Sequence, residues 1–300
     1  RMVIMKKIIA IMAFAGILCS CSVDVLEKSN PNALASSAWE SQAEVEAGLT
    51  GAYHVLYNSF YNSFNAFLLS GQSDEYYSMS PDSELAAFIN HGYNNYSQRW
   101  NLYTWQYLYQ GVFRANQVII YADNVEWSSD AAKRDVVAQA RCLRGMHYYY
   151  LANFYEHAPW VDWISDSSDQ AEETPYATLV KNIEADLQYA VENLPESYGK
   201  EYGRLNKYAA LTWLGKLYMN ATSELGDSYW AKAAECFKKV IDSKKYTLVE
   251  DWADNFKEET ENNAESIWEI QHKFSSSWFG GYWGYSNDGA TCNYGCFREK

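Results

Sequence analysis

The sequence predicts a mostly α-helical domain of packed helix pairs, running into an irregular, loop-rich region suited to holding a ligand. Three observations point there. Apolar residues recur at three- and four-residue intervals from Val45 to Phe237, which places them on one helix face. Alanines and glycines sit inside those stripes, where neighbouring helices can approach closely. After Gln271 the periodicity stops and Gly, Ser, Tyr and Trp take over.

The N-terminus reads as an address. Met5-Lys6-Lys7 begins a positive segment, and Ile8 to Leu18 is apolar over eleven residues. That is too short to span a bilayer and has the form of a signal peptide. The residues before Met5 read as upstream translated sequence. Leu18-Cys19-Ser20-Cys21 resembles a bacterial lipobox, with an apolar residue at −3, a small one at −1 and Cys at +1. Cys21 fits the acylated position better than Cys19, which would put Leu18 where a small residue is required. An ordinary secretory signal that happens to contain cysteine is the alternative. Residues 1–20 are thus expected to be a lipoprotein signal peptide, and 21–38 an acidic, polar tether that leaves the chain moored by lipid and soluble beyond it.

The body, residues 39–271, reads as helices in succession. Ser41 to Asn62 carries Val45, Leu49, Ala52, Val55 and Leu56 at helical spacing, with Gly48 and Gly51 permitting close approach. Gly71 to Arg99 loses the period and reads as a long loop. Helices are expected over Trp100–Asp123 and Ala131–His157, the second with a stripe of Val137, Ala140, Leu143 or Arg144, His147, Tyr150 or Leu151, and Phe154, and closed by Pro159. Ser165 to Glu173 is polar. Thr174-Pro175 predicts a capping residue followed by proline at the first helical position. The next stripe is Leu179, Ile183, Leu187, Ala190 and Leu194, ended by Pro195.

Gly203-Arg204-Leu205-Asn206 opens a further helix with Ala209, Ala210, Leu214, Gly215 and Tyr218. Leu214-Gly215-x-x-Tyr218 and Ala233-x-x-x-Phe237 match the two halves of a tetratricopeptide repeat. Leu214 and Ala233 lie 19 residues apart. The repeat consensus has about 13 there, so an inserted loop is expected at Ser223–Tyr229. Leu248-Val249 and Ser266 to Gln271 read as short extended pieces. Residues 272–300 read as the start of an irregular ligand-binding region, interrupted at Lys300.

Composition narrows the function. The formal net charge is −14, and a chain that repels phosphate is a poor partner for nucleic acid. Tyr (26) and Trp (12) together far outnumber Phe (12); their flat apolar faces and polar tips suit both helix cores and ligand platforms. Cys142 and Cys236 fall inside helical patterns, where free Cys acts as a small hydrophobe. Cys292 and Cys296 lack a zinc-site spacing, and no metal or other cofactor is expected. Gly71-Gln72-Ser73-Asp74-Glu75 lacks the final glycine of a nucleophile elbow. The five His are scattered, and Glu172-Glu173 and Glu258-Glu259 read as solvated surface.

Binding chemistry is better represented. A sugar ring offers C–H groups that stack on Trp or Tyr, and hydroxyls that need Asn, Asp, Gln or Arg. Tyr93 to Asn101 and Trp278 to Asp288 supply both kinds. The candidate ligand residues are Tyr96, Trp100, Asn101, Trp278, Tyr282, Trp283 and Tyr285. Peripheral packing is the alternative for each ring. A periplasmic protein-binding scaffold and a surface hydrolase remain as other readings.

Several stretches together resemble the SusD/RagB family of Bacteroidetes nutrient-binding lipoproteins. They are Ala47-Gly48-Leu49-Thr50-Gly51-Ala52-Tyr53; Trp105 through Tyr109 to Asn116; Ala140 to Leu151 with Pro159; Ile183-x-x-Asp186-Leu187-x-x-Ala190; Gly203 to Ala210; and Asn263-x-Glu265 to Gln271. Each is weak alone, but six stand in the family's order behind a lipobox, covering essentially all of Cys21 to Gln271. The resemblance implies tetratricopeptide-like helix pairs supporting an irregular binding region. It also implies a non-enzymatic lipoprotein on the outer face of the outer membrane that presents oligo- or polysaccharide to a SusC-like, TonB-dependent transporter. Two departures stand out: family members usually have Gly just before the Pro that ends the Arg144 helix, where this chain has Glu156-His157-Ala158-Pro159, and members are usually much longer.

Overall fold

The computed structural model describes residues 39–57, 73, 99–164 and 170–271, with the backbone alone at Arg99, Trp100 and Thr222. Of the expected site residues, Cys21, Tyr96, Trp278, Tyr282, Trp283 and Tyr285 lie outside the described residues, as do the expected signal, the tether and the chain after Gln271. The elements below belong to one of the chain's two compact units, residues 41–300.

Six α-helices occur among the described residues: α1 Gln42–His54, α2 Arg99–Tyr121, α3 Asp130–Tyr155, α4 Tyr176–Asn193, α5 Lys207–Leu225 and α6 Ser228–Asp242. Short 3₁₀ turns occupy Val55–Tyr57, Trp252–Phe256 and Glu258–Thr260. Each of α2 to α6 packs on the helix that precedes or follows it, and α1 lies on both α2 and α3. This is the helix-pair architecture the periodicity predicts.

The helix ends follow local chemistry. Ser129 caps α3, its hydroxyl accepting from Ala132 N–H at 3.1 Å. Asn206 caps α5, its Oδ1 accepting from both Tyr208 and Ala209 N–H at 2.9 Å. At α4 the expected cap is wrong by one residue. Pro175 itself is the N-cap and offers no side-chain acceptor. The Thr174 hydroxyl instead accepts from Trp160 N–H at 2.8 Å, because the tertiary fold brings a donor closer than the helix end does. The loop expected at Ser223–Tyr229 is also corrected. The extra residues lengthen α5 as far as Leu225, and only Gly226 and Asp227 separate it from α6. Gly226 sits at φ 102°, a conformation that glycine adopts without strain and that stops a helix.

The stripe predicted for α3 is too narrow. Val136 is buried rather than Val137, and every residue from Cys142 to Tyr148 is buried. With α1, α2, α4 and α5 all against it, this central helix has no solvent face along that stretch and shows no single amphipathic edge. Gly215 does the expected work: a Cβ there would lie 2.6 Å from Phe237 Cε1 on α6, so only glycine lets the repeat-like pair close. Gly51 does not, since a Cβ there meets nothing within 4 Å. The extended pieces expected after α6 form no strand among the described residues, though Thr247 N–H donates to Ala264 C=O at 2.9 Å.

Glu156 ends α3 in a left-handed backbone conformation. It takes φ 58°, ψ −62°, and His157 N–H reaches back to Tyr155 C=O, closing a γ-turn of the rare positive-φ kind. A side chain is strained there. Glu156→Gly is therefore expected to raise stability by about 1 kcal/mol, net of the freedom glycine adds to the unfolded chain. A higher urea midpoint with unchanged slope would show it; a lower midpoint would mean that the turn is unstrained.

Candidate functional site

A buried polar cross-link fixes the bundle under the candidate site. Arg144 on α3 grips Asp186 on α4 with two bonds, Nε to Oδ2 at 2.6 Å and Nη2 to Oδ1 at 2.8 Å. Arg141 adds a third to Oδ1 at 2.7 Å. Arg144 Nη1 donates to Asn116 Oδ1 on α2 at 2.8 Å, and Asn116 Nδ2 donates to the carbonyls of Val161 and Trp163 at 2.9 and 3.0 Å. Arg144, Asn116 and Asp186 are 6%, 0% and 1% exposed, so each bond lies in a dry, low-dielectric interior. Burial pulls the Arg144 pKa down, but the bonded carboxylate outweighs it and holds the guanidinium above its ordinary value.

The same cluster pins the segment after α3. Tyr148 stacks on Trp160 at 4.3 Å, and its hydroxyl accepts from Val161 N–H at 2.6 Å. The Tyr109 hydroxyl donates to Pro159 C=O at 2.7 Å. Burial raises the pKa values of both tyrosines above the usual phenol value.

From this core a line of rings leads outward to the amino end of α2. Tyr109 meets Trp105 at 4.7 Å, and Trp105 meets Tyr155 edge-on at 4.9 Å. The Tyr155 hydroxyl donates to Asn101 C=O at 2.9 Å. Asn101 is exposed, beside Leu102 at 53% and Tyr103 at 38% exposure. Trp100 and Asn101 lie in the first turn of α2. Of the candidate ligand residues, the structure thus places Asn101 at an exposed aromatic edge and Trp100 next to it along the backbone.

Two cavities were not foreseen. One, about 300 Å³, is bounded by Leu49, Tyr53 and Tyr57 of the first helical segment and by Trp268 and Ile270. The Tyr57 hydroxyl donates to Gln271 C=O across it. The other shares Arg204 and Trp268 with it and is more polar. Gly203, Arg204 and Trp268 edge the first cavity; in the sequence they stand in an expected helix start, an expected extended piece and two family-like stretches. The Arg204 guanidinium and the Trp268 indole were the available signal.

Those stretches prove to be joined to one another. The Tyr53 hydroxyl donates to Gln139 Oε1 and accepts from Leu205 N–H, both at 2.9 Å. Trp268 Nε1–H donates to Gly203 C=O at 3.0 Å. A SusD-like family model, described as "Starch-binding associating with outer membrane", matches residues 24–219. The chain belongs to this SusD-like family. The SusD-like protein P25 of Formosa agariphila is 23% identical over 88% of this chain and 52% of its own length. The starch-binding protein SusD of Bacteroides thetaiotaomicron is 30% identical over 171 residues, 55% of this chain and 29% of that protein. The chain spans about half the length of P25 and less of SusD.

Solved SusD-like structures share the fold. A SusD superfamily protein from Bacteroides vulgatus superposes with a TM-score of 0.68 at 23% identity, over 77% of this chain and 50% of that one. A laminarin-binding SusD-like protein gives 0.64 at 24% identity, over 76% and 51%. Among the described residues of this SusD-like chain, no helix is long and apolar enough to cross a membrane. No group of three metal-ligating side chains is gathered among them either.

Proposed function

We propose that this chain serves as a surface glycan-binding lipoprotein, moored to the outer membrane through an acylated Cys21. It captures oligo- or polysaccharide without cleaving it and passes it to a SusC-like, TonB-dependent transporter. The observation that carries the reading is the exposed amino end of α2, where Asn101, Leu102 and Tyr103 face solvent, the Tyr155 hydroxyl holds Asn101 C=O and Tyr103 lies 6.3 Å from Tyr107. An exposed tyrosine ring beside a carboxamide suits a sugar's C–H face and its hydroxyls. The family description and the printed names of the relatives point the same way. In this reading Tyr96, Trp100, Asn101, Trp278, Tyr282, Trp283 and Tyr285 hold the ligand.

Native gels cast with plant and host polysaccharides test it. The purified chain should be retarded by at least one glycan and should release no reducing ends. Trp283→Ala should weaken retardation by about five- to tenfold, the worth of one aromatic contact. Equal mobility across the whole panel would sink the binding reading; release of reducing sugar would replace it with a hydrolase.

A further inference from the structure

The more polar cavity has a volume of about 230 Å³ and forms where the connection between α4 and α5 meets the segment after α6. Tyr198, Tyr202, Tyr246 and Trp268 line it. Three of these rings are tethered at their polar tips. Trp268 Nε1–H is bonded to Gly203 C=O at 3.0 Å, and the Tyr246 hydroxyl accepts from Asn206 Nδ2 at 3.3 Å. The Tyr198 hydroxyl donates to Asp135 on α3. With its amino end fixed by the Asn206 cap, α5 holds this corner rigid. The fourth ring, Tyr202, is 52% exposed at the rim.

The charges around the cavity cancel. Lys245 pairs with Glu196 at 3.3 Å, and Arg204 pairs with Glu201. The two pairs leave no net charge on the lining to favour an ion, and a neutral ligand can use their spare lone pairs and N–H groups as they stand. Cavities for drug-sized ligands run to about 300–1,000 Å³; this one suits a single small ring. Tethered aromatic side chains, balanced charge and one-ring volume describe a site for a neutral, hydroxyl-rich ring.

We propose that this corner binds one neutral pyranose residue of a glycan, at a site separate from the α2 edge. The choice of a sugar rests on the glycan-binding reading; the place, the size and the neutrality rest on the cavity alone. A glycan held at α2 would gain a second point of attachment here, raising avidity without a new domain.

The test uses the full chain labelled with 5-fluorotryptophan, with the Trp268 ¹⁹F signal assigned by Trp268→Phe. Methyl glucoside, methyl galactoside and methyl mannoside are titrated, with sorbitol as a polyol that has no ring face. At least one glycoside should shift the Trp268 signal saturably, sorbitol should not, and Tyr202→Ala should weaken the response about fivefold. Tyr202 is a rim residue, so its loss should leave the fold and the other tryptophan signals unchanged. A Trp268 signal that none of the glycosides moves, or one that moves equally in Tyr202→Ala, overturns the site. If the protein is still retarded in glycan gels in that case, the broader binding reading survives and only this cavity is lost. If retardation is absent as well, both are lost.

Discussion

Asp186→Ala is expected to lower the stability of the chain by about 3–5 kcal/mol, the usual result of stranding a buried charge. Asp186 accepts from both Arg144 and Arg141 and is 1% exposed. Removing it leaves the Arg144 guanidinium, at 6% exposure, without its carboxylate partner. Arg141 suffers less, because its side chain is 25% exposed and can turn to water. The double variant Arg144→Met, Asp186→Leu should lose less than the sum of Arg144→Met and Asp186→Ala, since no fully buried ion is then left unpaired and Arg141 can turn to water. Some loss should persist, because Asn116 Oδ1 forfeits its donor and Trp160 the guanidinium 5.1 Å from its ring centre. Urea unfolding of the three variants reads this directly. If Asp186→Ala cost under about 1 kcal/mol, the pair would be behaving as a solvated surface bridge, and the α2–α3–α4 junction would need another explanation.

That junction shows what was legible in the sequence and what was not. Asn116, Arg144 and Asp186 each stood in a different family-like stretch, and each was recognised by its place in a pattern. The bonds among them were invisible, because residues 28 and 42 apart in sequence reveal contact only once helices are packed. Helix existence was legible wherever an apolar period met a partner on one side, as at α4, where Leu179, Ile183, Leu187 and Ala190 are all buried as expected. It failed in detail on α3, where burial on every side erases the period. Length arithmetic also misled between α5 and α6: spacing counts residues, and a surplus fits a longer helix as well as a loop.

The candidate binding residues were less legible for a related reason. Aromatic content cannot separate a ring that packs from one that greets solvent. Tyr148 is 0% exposed and Tyr202 is 52% exposed, yet both follow similar local sequence, a small residue two or three positions away. What distinguishes them is whether a neighbouring helix covers the position. The corner around Trp268 was missed because its rings come from three separate segments, at Tyr198–Tyr202, Tyr246 and Trp268. Only tertiary packing makes them one wall.

His147 is expected to make the chain lose stability on mild acidification. Its ring is 0% exposed and lies against α2, where a Cβ at Gly111 would stand 2.1 Å from its Nε2. Burial lowers its pKa from 6.5 to about 3. Above pH 6.5 the ring is neutral in both the folded and the unfolded chain, and the linkage costs nothing. Below that value the unfolded chain takes up a proton that the folded one refuses, so stability falls as pH falls, by about 1.4 kcal/mol per pH unit down to about pH 3. From pH 6.5, where half of the unfolded chains already carry the proton, to pH 5 the loss should be about 1.6 kcal/mol. His147→Gln cannot take up that proton. It should be less stable than the parent at pH 7, having disturbed a packed site, but its stability should vary less between pH 6.5 and 5. Urea midpoints at three pH values in that interval compare the two slopes. Parallel slopes would mean that His147 finds a way to be charged inside the fold, and the tight contact with Gly111 would then have to open.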